Sequence, residues 1–190
     1  MSVDKNQNIQ KVRDMYMSNR RILCTGNPNK TTLASGVREI WPDAVFMHKS
    51  NGYDLTDFSD TNIEKIQQQF KNCTTFINAS YIDIGIQSQL LDLFFDTVKV
   101  GEVFNIGSTH EYDGLDKGDY SRSKIQLRDN SLQKNNFRIN TTHILLGQID
   151  RTGEHEYWIK PVEVAEAIKW IMNQRYKLPL YSIDQPKKPW

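Results

Sequence analysis

Tyr120 and Lys124 stand four positions apart within DYSRSKIQLR, residues 119–128. In an α-helix this spacing places both side chains on one face, one turn apart. A free phenol titrates near pH ~10, and a neighbouring ammonium favours its ionised form, so the pair could act as an acid and its charge partner. A surface tyrosine and a surface lysine on a helix would show the same spacing. The position of the pair along the chain must therefore decide between the two readings.

A third polar side chain, Ser108, precedes Tyr120 by twelve residues and closes the apolar run GEVFNIG (101–107). That run predicts a buried strand, and the segment from Tyr120 onward predicts a helix. Open α/β sheets bind their ligands at the carboxyl edge of the strands. We therefore predict that Ser108, Tyr120 and Lys124 converge on one crevice at this edge and form a catalytic site.

Apolar runs and helical patterns alternate along the whole chain. The runs are rich in β-branched and aromatic residues and mostly apolar on both faces, which is typical of buried parallel strands. The predicted strands are RILCT (21–25), AVFMH (44–48), TTFINA (74–79), GEVFNIG (101–107), FRINTTHILL (137–146) and a last strand LPLYSID (178–184). The predicted helices are TTLASGVREIW (31–41), DTNIEKIQQQF (60–70), QSQLLDLFFDTV (87–98), YSRSKIQLRDNSLQ (120–133) and PVEVAEAIKWIM (161–172).

This alternation predicts an α/β fold: a Rossmann-type doubly wound three-layer sandwich with a mostly parallel sheet of about seven strands. A chain of 190 residues suits one well-filled core, so we expect a single domain over residues 19–190. Residues 1–18 form an N-terminal extension that is either a packed helix or a frayed tail. Asp60 or Thr61 is expected to cap the second helix, and Pro161 suits the first turn of the last one.

Composition and charge exclude several classes of protein. Basic residues number 24 and acidic residues 23, with no run of like charge, so we expect no nucleic-acid or membrane-surface binding. No segment has the apolar length of a signal peptide or a membrane span, which predicts a soluble cytoplasmic protein.

Cys24 and Cys73 fit buried, reduced thiols. The histidines His110, His143 and His155 lack the spacing of metal ligands, so we predict no metal site and read them as structural or surface residues.

Taken in order, these motifs resemble the short-chain dehydrogenase/reductase family over roughly residues 20–184. NIGS (105–108) is similar to the strand that bears the family's catalytic serine, and YSRSK (120–124) to its Tyr-x-x-x-Lys motif. DLTD (54–57) resembles the segment that holds the adenine, and INAS (77–80) resembles the family's Asn-Ala-Gly. RIN (138–140) followed by LLG (145–147) resembles the stretch that leads to the Pro-Gly turn beside the nicotinamide. Each motif is weak alone, and their shared order and spacing carry the resemblance.

The resemblance implies an NAD(P)-dependent oxidoreductase acting on a small-molecule carbonyl or alcohol. Tyr120 would be the general acid or base, Lys124 would support it and hold the nicotinamide ribose, and Ser108 would orient the substrate oxygen. The family also implies a homo-oligomer. STHEYDG (108–114) resembles sugar-nucleotide epimerases and reductases of the family, which keeps that substrate class open.

The turn between the first strand and the first helix should bind the cofactor's phosphates. Within CTGNPNKTTLASG (24–36), Gly26 matches the first glycine of the family's Thr-Gly-x-x-x-Gly-x-Gly pattern, whereas Lys30 and Thr32 replace the other two. Side chains there could narrow the site, since the glycines admit a close approach of the backbone. Alternatively, Lys30 and the two threonine hydroxyls could themselves bind phosphate at a helix N-terminus. The residues expected at this turn are Gly26, Asn27, Asn29, Lys30, Thr31 and Thr32.

The stretch HKSNGYD after the second strand bears on the choice of cofactor. An acidic residue there would select NAD, whereas His48 and Lys49 could accommodate a 2′-phosphate, so NADP(H) is favoured over NAD(H). The remaining cofactor contacts that the resemblance implies are Asp54, Leu55, Asn78, Ala79, Ser80, Gly147 and Ile149, together with Tyr120 and Lys124.

Several departures from the family keep other functions open. Ser80 replaces the glycine of Asn-Ala-Gly, and Leu146 replaces the proline before Gly147. No asparagine stands where the family's fourth catalytic residue is expected, and Asp83 or Gln87 is left as a substitute. The segment between Gly147 and the last helix is also short for a substrate lid. The alternatives are a non-catalytic dinucleotide-binding sensor or partner-binding module, and an interaction domain that binds no nucleotide.

Overall fold

The structure, a computed structural model, describes residues 20–112, 118–150, 152, 154–174 and 176–184. The predicted extension, residues 1–18, lies outside the described residues. Six strands form one parallel sheet in the order β2-β1-β3-β4-β5-β6. They are β1 (Ile22–Thr25), β2 (Val45–Met47), β3 (Thr75–Asn78), β4 (Gly101–Ile106), β5 (Ile139–Leu146) and β6 (Leu180–Ile183).

The sheet has six strands among the described residues, rather than about seven. Between β2 and the next helix the chain forms a 3-10 turn, Lys49–Asn51. The Asn51 side chain donates a hydrogen bond back to the carbonyl of Phe46 and turns the chain as it leaves β2. The side chain of Asn62 likewise bonds the carbonyls of Asp54 and Asp57, so the loop is tied to the helix that follows it.

Helices cover both faces of the sheet, as the alternating pattern predicts. The helices are α1 (Leu33–Ile40), α2 (Asp60–Asn72), α3 (Ile86–Thr97), α4 (Asp119–Lys134) and α5 (Pro161–Met172). One buried apolar cluster lies between the sheet and α1 and α5, and a second lies between the sheet and α2, α3 and α4. The result is the predicted three-layer, Rossmann-type arrangement.

The helices α1 and α5 pack unusually closely at one point. A Cβ atom added to Gly36 in α1 would lie 2.2 Å from the carbonyl oxygen of Pro161, the first residue of α5. Pro161 occupies the first turn, as expected from its fixed φ and missing N–H. Gly36 therefore sets the distance between these two helices.

Three details of the elements differ from the sequence expectation. Ser59, and not Asp60 or Thr61, is the N-cap of α2; its hydroxyl donates to Asp57 and so makes no capping bond. β5 begins at Ile139 because Asn136 accepts hydrogen bonds from the next turn of backbone, and Phe137, expected in the strand, is 85% exposed. β6 is an edge strand with half-exposed residues, so it is not buried on both faces.

Both cysteines are buried and free, Cys24 in β1 and Cys73 just before β3. Burial raises the pKa of both thiols, and that of Cys73 reaches about 12. Within the described ranges, no helix combines the length and apolar character needed to cross a bilayer.

The strand order creates a crevice at the carboxyl edge. The connection through α1 places β2 on one side of β1, and the connection through α2 returns the chain to place β3 on the other side. The loops that leave β1 and β3 therefore run in opposite directions, and a ligand can enter between them.

Candidate active site at the carboxyl edge of the sheet

A cavity of about 770 Å³ lies at this crevice. Its walls come from the ends of five strands: Thr25 of β1, residues 79–81 after β3, residues 106–110 after β4, residues 146–149 after β5, and Asp184 after β6. The first turn of α1 closes one end, and Trp158 lies on the side of the segment before α5. The volume is in the range of ordinary cofactor and substrate pockets.

Ser108, Tyr120 and Lys124 all line this cavity. Ser108 lies two residues beyond the end of β4, because this strand ends at Ile106 and is one residue shorter than the predicted run. Ser108 is the N-cap of the 3-10 turn Thr109–Glu111. Its Oγ accepts a hydrogen bond from the backbone N–H of His110 at 3.3 Å. A hydroxyl that accepts in this way keeps its own hydrogen free to donate toward the cavity.

Lys124 is buried in the cavity wall, with 2% of its surface exposed. Its Nζ donates to Oε1 of Gln87 at 2.6 Å and to the carbonyl of Ile106 at 2.7 Å. Burial lowers the pKa of Lys124 to about 7, and the negative charge of Glu111 partly opposes that shift. The amine is therefore close to its titration point at neutral pH.

Two tyrosine rings flank the lysine. The rings of Tyr120 and Tyr81 meet edge to face with centroids 4.7 Å apart, and Nζ of Lys124 lies 5.6 Å from each centroid. Such distances allow a cation–π attraction to both rings. Tyr81 lines the cavity and was not singled out from the sequence, although it follows INAS directly.

Gln87, left open in the sequence, connects the lysine to the end of β3. Its Nε2 donates to the carbonyl of Asn78 at 2.7 Å while its Oε1 accepts from Lys124. Asn78 is fully buried, and its side chain donates to the carbonyl of Gln87 and to Asn105. Asn78, expected at the cofactor, therefore supports the cavity from behind and does not line it. Asp83, the other residue left open, is exposed and accepts from the backbone N–H of Ile84.

One position in the turn after β1 has a backbone conformation that favours glycine. Gly26 has φ of 126°, a conformation that favours glycine, and an added Cβ would lie 2.9 Å from Oγ of Ser80. Thr25 Oγ1 accepts hydrogen bonds from the backbone N–H groups of Ala79 and Ser80 at 2.8 and 2.9 Å. Thr25, Ala79 and Ser80 line the cavity, and these two bonds fix the loop after β3 to the end of β1.

The rest of that turn is held by local hydrogen bonds. Asn27 accepts from the backbone of Asn29, and Asn29 in turn accepts from Arg38 of α1 at 2.7 Å. Thr32 is the N-cap of α1 and lines the cavity, and its side chain makes no capping bond. Gly26, Asn27, Asn29, Lys30 and Thr31 do not line the cavity; of these, Asn29, Lys30 and Thr31 are exposed.

The residues expected at the adenosine end lie after β2, outside the cavity. Lys49 and Asp54 form an exposed ion pair at 2.7 Å, and this pair lowers the pKa of Asp54 to about 2. His48 Nδ1 lies 2.7 Å from the hydroxyl of Ser50. The side chain of Leu55 is buried in the apolar core with the α2, α3 and α4 side chains, so only its backbone could contact a ligand.

The segment after β5 forms the remaining wall. Gly147 and Ile149 line the cavity, and Ile149 pairs with Ile159 in an isolated parallel bridge. The buried side chain of Asp150 accepts from the backbone N–H groups of Thr152 and His155. The Asp150 side chain thus holds the backbone of this short segment in place. Trp158, which is stacked on His155, faces the cavity.

A buried acid–base pair lies just behind Ser108. His143 on β5 contacts Glu111 in the turn after β4, with Nε2 3.0 Å from Oε1. The sequence predicts His143 to be a structural or surface residue, whereas Glu111 gives no signal because its partner is 32 positions away. No group of three or more His, Cys, Asp or Glu in the described part of the chain could hold a metal ion.

Comparison with known proteins gives the fold. No protein-family model matches the chain, and neither does any curated protein sequence. Solved structures do match it. A short-chain dehydrogenase/reductase from Brucella ovis, an oxidoreductase, aligns with a TM-score of 0.67 and 16% identity over 87% of this chain and 100% of that chain.

Two further solved structures were determined with a nicotinamide cofactor. A short-chain dehydrogenase from Sphingobium yanoikuyae in complex with NADPH has a TM-score of 0.63 and 12% identity, over 85% of this chain and 87% of that one. The 3-alpha-hydroxysteroid dehydrogenase from Pseudomonas sp. B-0831, complexed with NADH, has a TM-score of 0.64 and 12% identity, over 86% and 94%. As the resemblance of its motifs predicted, this chain has the fold of the short-chain dehydrogenases/reductases.

Proposed function

We propose that this protein is an NAD(P)-dependent oxidoreductase of the short-chain dehydrogenase/reductase type that interconverts a small-molecule carbonyl and its alcohol. One observation carries the proposal: Ser108, Tyr120 and Lys124, from two separate segments, line a single cavity at the switch point of the sheet. The fold likeness to dehydrogenases of known structure supports it.

Each of the three side chains has a role in this proposal. Tyr120 donates its phenolic proton to the substrate oxygen during reduction and takes it back during oxidation. Ser108 donates its free hydroxyl hydrogen to the same oxygen and so orients the carbonyl. Lys124, as an ammonium beneath the two aromatic rings, stabilises the phenolate that remains after proton transfer.

The cavity fits a dinucleotide in several respects. The N-terminal turn of α1 faces the cavity at Thr32, where helix N–H groups attract anions such as phosphate. Gly26 admits a close approach of the backbone, although Ser80 takes up part of the space next to it. When bound, the reduced cofactor supplies a hydride to the carbonyl carbon. Gly147 and Ile149 lie on the wall that would hold the nicotinamide end.

NADP(H) is favoured over NAD(H) in the proposal. His48 and Lys49 follow the strand β2, where a 2′-phosphate would lie if the adenosine end runs past β1. Lys49 is bonded to Asp54, but its side chain is 84% exposed, so a phosphate can displace the carboxylate at little cost.

A non-catalytic dinucleotide-binding module is the second candidate. Lys124 bonds Gln87 and Ile106 in this structure, and this use of its amine favours binding without turnover. In that case Tyr120 and Lys124 would serve only as ribose contacts.

A cofactor titration separates these candidates. Purified protein is titrated with NADPH and with NADH while the fluorescence of its four tryptophans and of the nicotinamide is recorded. The same protein is then assayed against a panel of aldehydes, ketones and sugar nucleotides by absorbance of the reduced cofactor. Binding with turnover supports the enzyme, binding without turnover supports the second candidate, and binding of neither cofactor leaves an interaction domain.

The proposal includes a homo-oligomer, which the family resemblance implies, and a cytoplasmic location, which the sequence predicts. Light scattering coupled to size-exclusion chromatography measures the oligomeric state directly. A mass equal to one 22.2 kDa chain at micromolar concentration would remove this part of the proposal.

A further inference from the structure

The carboxylate of Glu111 is buried at a point where three elements meet. It lies in the 3-10 turn after β4, and its side chain has no exposed surface. Oε1 accepts a hydrogen bond from the backbone N–H of Ser108 at 2.9 Å and lies 3.0 Å from Nε2 of His143. The second oxygen lies 3.2 Å from the same Nε2 and 3.9 Å from the guanidinium of Arg128 on α4.

The sheet fixes the partner of this carboxylate. His143 is fully buried on β5, opposite Asn105 of β4, so the ring lies beneath the end of β4. An ionised carboxylate only accepts hydrogen bonds, so Nε2 of His143 must carry the hydrogen that Glu111 accepts. Nδ1 of His143 has no hydrogen-bond partner among the described residues. The imidazole is therefore directed entirely at Glu111.

Gly107 leaves the space that this pair occupies. A Cβ atom at Gly107 would lie 2.2 Å from Nε2 of His143 and 2.4 Å from Oε1 of Glu111. Any other residue between Ile106 and Ser108 would displace the pair. The main chain at the end of β4, the histidine and the carboxylate thus form one packed unit directly behind Ser108.

The same carboxylate acts on Lys124. Charge attraction from Glu111 raises the pKa of Lys124, against the larger lowering that burial causes. Among the described residues, Glu111 interacts with His143 from β5 and with Arg128 and Lys124 from α4, and the guanidinium of Arg128 also lies over the ring of Tyr112. Arg128 is also bonded to the exposed Asp129, whereas the Glu111 carboxylate is fully buried.

We propose that Glu111 is a positioning residue of the site: its carboxylate, oriented by His143, holds the main chain of Ser108 at the end of β4, next to the Ile106 carbonyl to which Lys124 donates. The catalytic meaning of this role rests on the proposed function. The contacts of Glu111 with Ser108 and His143 can be measured without turnover.

The test uses the full-length protein with Glu111→Gln, which removes the charge and keeps the shape of the side chain. Lysine labelled with ¹³C at Cε is titrated by NMR, with Lys124 assigned from the Lys124→Met variant. In E111Q the titration of Lys124 should move to lower pH by about one unit or more, because its buried counter-charge is gone. The alkaline limb of kcat/KM for carbonyl reduction should move in the same direction, and kcat should fall on the order of 10- to 100-fold.

Two further variants make the result specific. Glu111→Asp keeps a negative charge, so Lys124 should titrate at nearly the same pH in this variant as in the wild type. Glu64→Gln removes an exposed carboxylate on α2, so it should change neither the titration nor the pH profile. If E111Q does not fold, His143→Gln replaces it, and faster hydrogen exchange at the backbone N–H of Ser108 is then expected.

The outcomes separate the inference from the proposed function. A folded E111Q protein in which both the Lys124 titration and the hydrogen exchange of the Ser108 N–H match the wild type overturns the inference, whether or not the enzyme turns over. A shifted Lys124 titration in E111Q, when the wild-type protein binds no cofactor, supports the inference and rules out the oxidoreductase. Unchanged exchange at Ser108 in H143Q would show that the histidine does not orient the carboxylate.

Discussion

At the scale of single residues, the site consists of a phenol, an amine and a hydroxyl whose surroundings differ sharply. Ser108 is held by backbone bonds on both sides, through its own Oγ and through Glu111. Lys124 is buried with two acceptors, whereas Tyr120 is half-buried and faces the cavity. The phenol is thus the group most open to a substrate, as a proton donor needs to be.

Tyr120→Phe removes only the phenolic oxygen. If Tyr120 transfers the proton, turnover should fall by on the order of 10²- to 10⁴-fold, while the Kd for NADPH stays nearly unchanged. Steady-state kinetics and fluorescence titration give the two values. Tyr176→Phe, at a 59% exposed tyrosine, is the matched control. Unaffected turnover in Y120F would remove the catalytic assignment.

The buried amine of Lys124 should also make the stability of the folded protein depend on pH. Its pKa is about 7 in the folded protein and near 10.5 when unfolded, so between these values the unfolded chain binds a proton that the folded chain lacks. The stability of the wild type relative to Lys124→Met should therefore rise with pH across this window, by up to about 1.4 kcal/mol per pH unit. It should be constant below the window, where burial of the charge costs most.

Urea unfolding of both proteins from pH 6 to pH 10.5 measures this difference. The matched control, Lys65→Met, changes an exposed lysine on α2, so its difference from the wild type should stay flat. A flat difference for K124M as well would mean that the amine is hydrated in the folded protein.

At the scale of elements, the contact between α1 and α5 depends on one missing side chain. Gly36→Ala would place a Cβ 2.2 Å from the carbonyl oxygen of Pro161, and backbone cannot yield as a flexible side chain can. Alanine favours helix by about 1 kcal/mol over glycine, yet we expect a net loss of about 1–3 kcal/mol in the free energy of unfolding. Glu39→Ala, on the exposed face of the same helix, is the control, and chemical denaturation is the measurement.

The order of strands and helices could be predicted because both patterns are local. Every predicted run became a strand or helix, since apolar runs bounded by turns suit a sheet covered on both faces. The boundaries were less accurate, because side chains decide them: Asp57 engages Ser59, and Asn136 ends the loop before β5. Neither contact has a periodic signature.

The site was only partly predictable for a related reason. Ser108, Tyr120 and Lys124 follow a known order, and they do line one cavity. The pairing of Glu111 with His143 depends on the register of β4 against β5, which a single sequence does not reveal. Gln87 could be suspected from its place in the helix, but only the fold shows that it accepts from the lysine.

At the scale of the whole molecule, cofactor binding should stabilise the fold by mass action. A ligand at about 100 times its Kd adds roughly 2.7 kcal/mol. For a domain of this size that corresponds to an increase in Tm of about 5–10 °C. Differential scanning fluorimetry with NADPH, with NADH and with inorganic pyrophosphate as an anionic control measures the effect. Equal shifts with pyrophosphate would point to a general anion site instead.

Because its pKa lies near 7, the buried amine of Lys124 also couples ligand binding to proton uptake from the buffer. A dinucleotide brings the negative charge of its diphosphate into the cavity, and that charge favours the ammonium form, so association near neutral pH should draw up to about half a proton from solution. Calorimetry in phosphate and in Tris would then report different apparent heats for the same event. Identical heats in both buffers would mean that the amine does not change its protonation on binding.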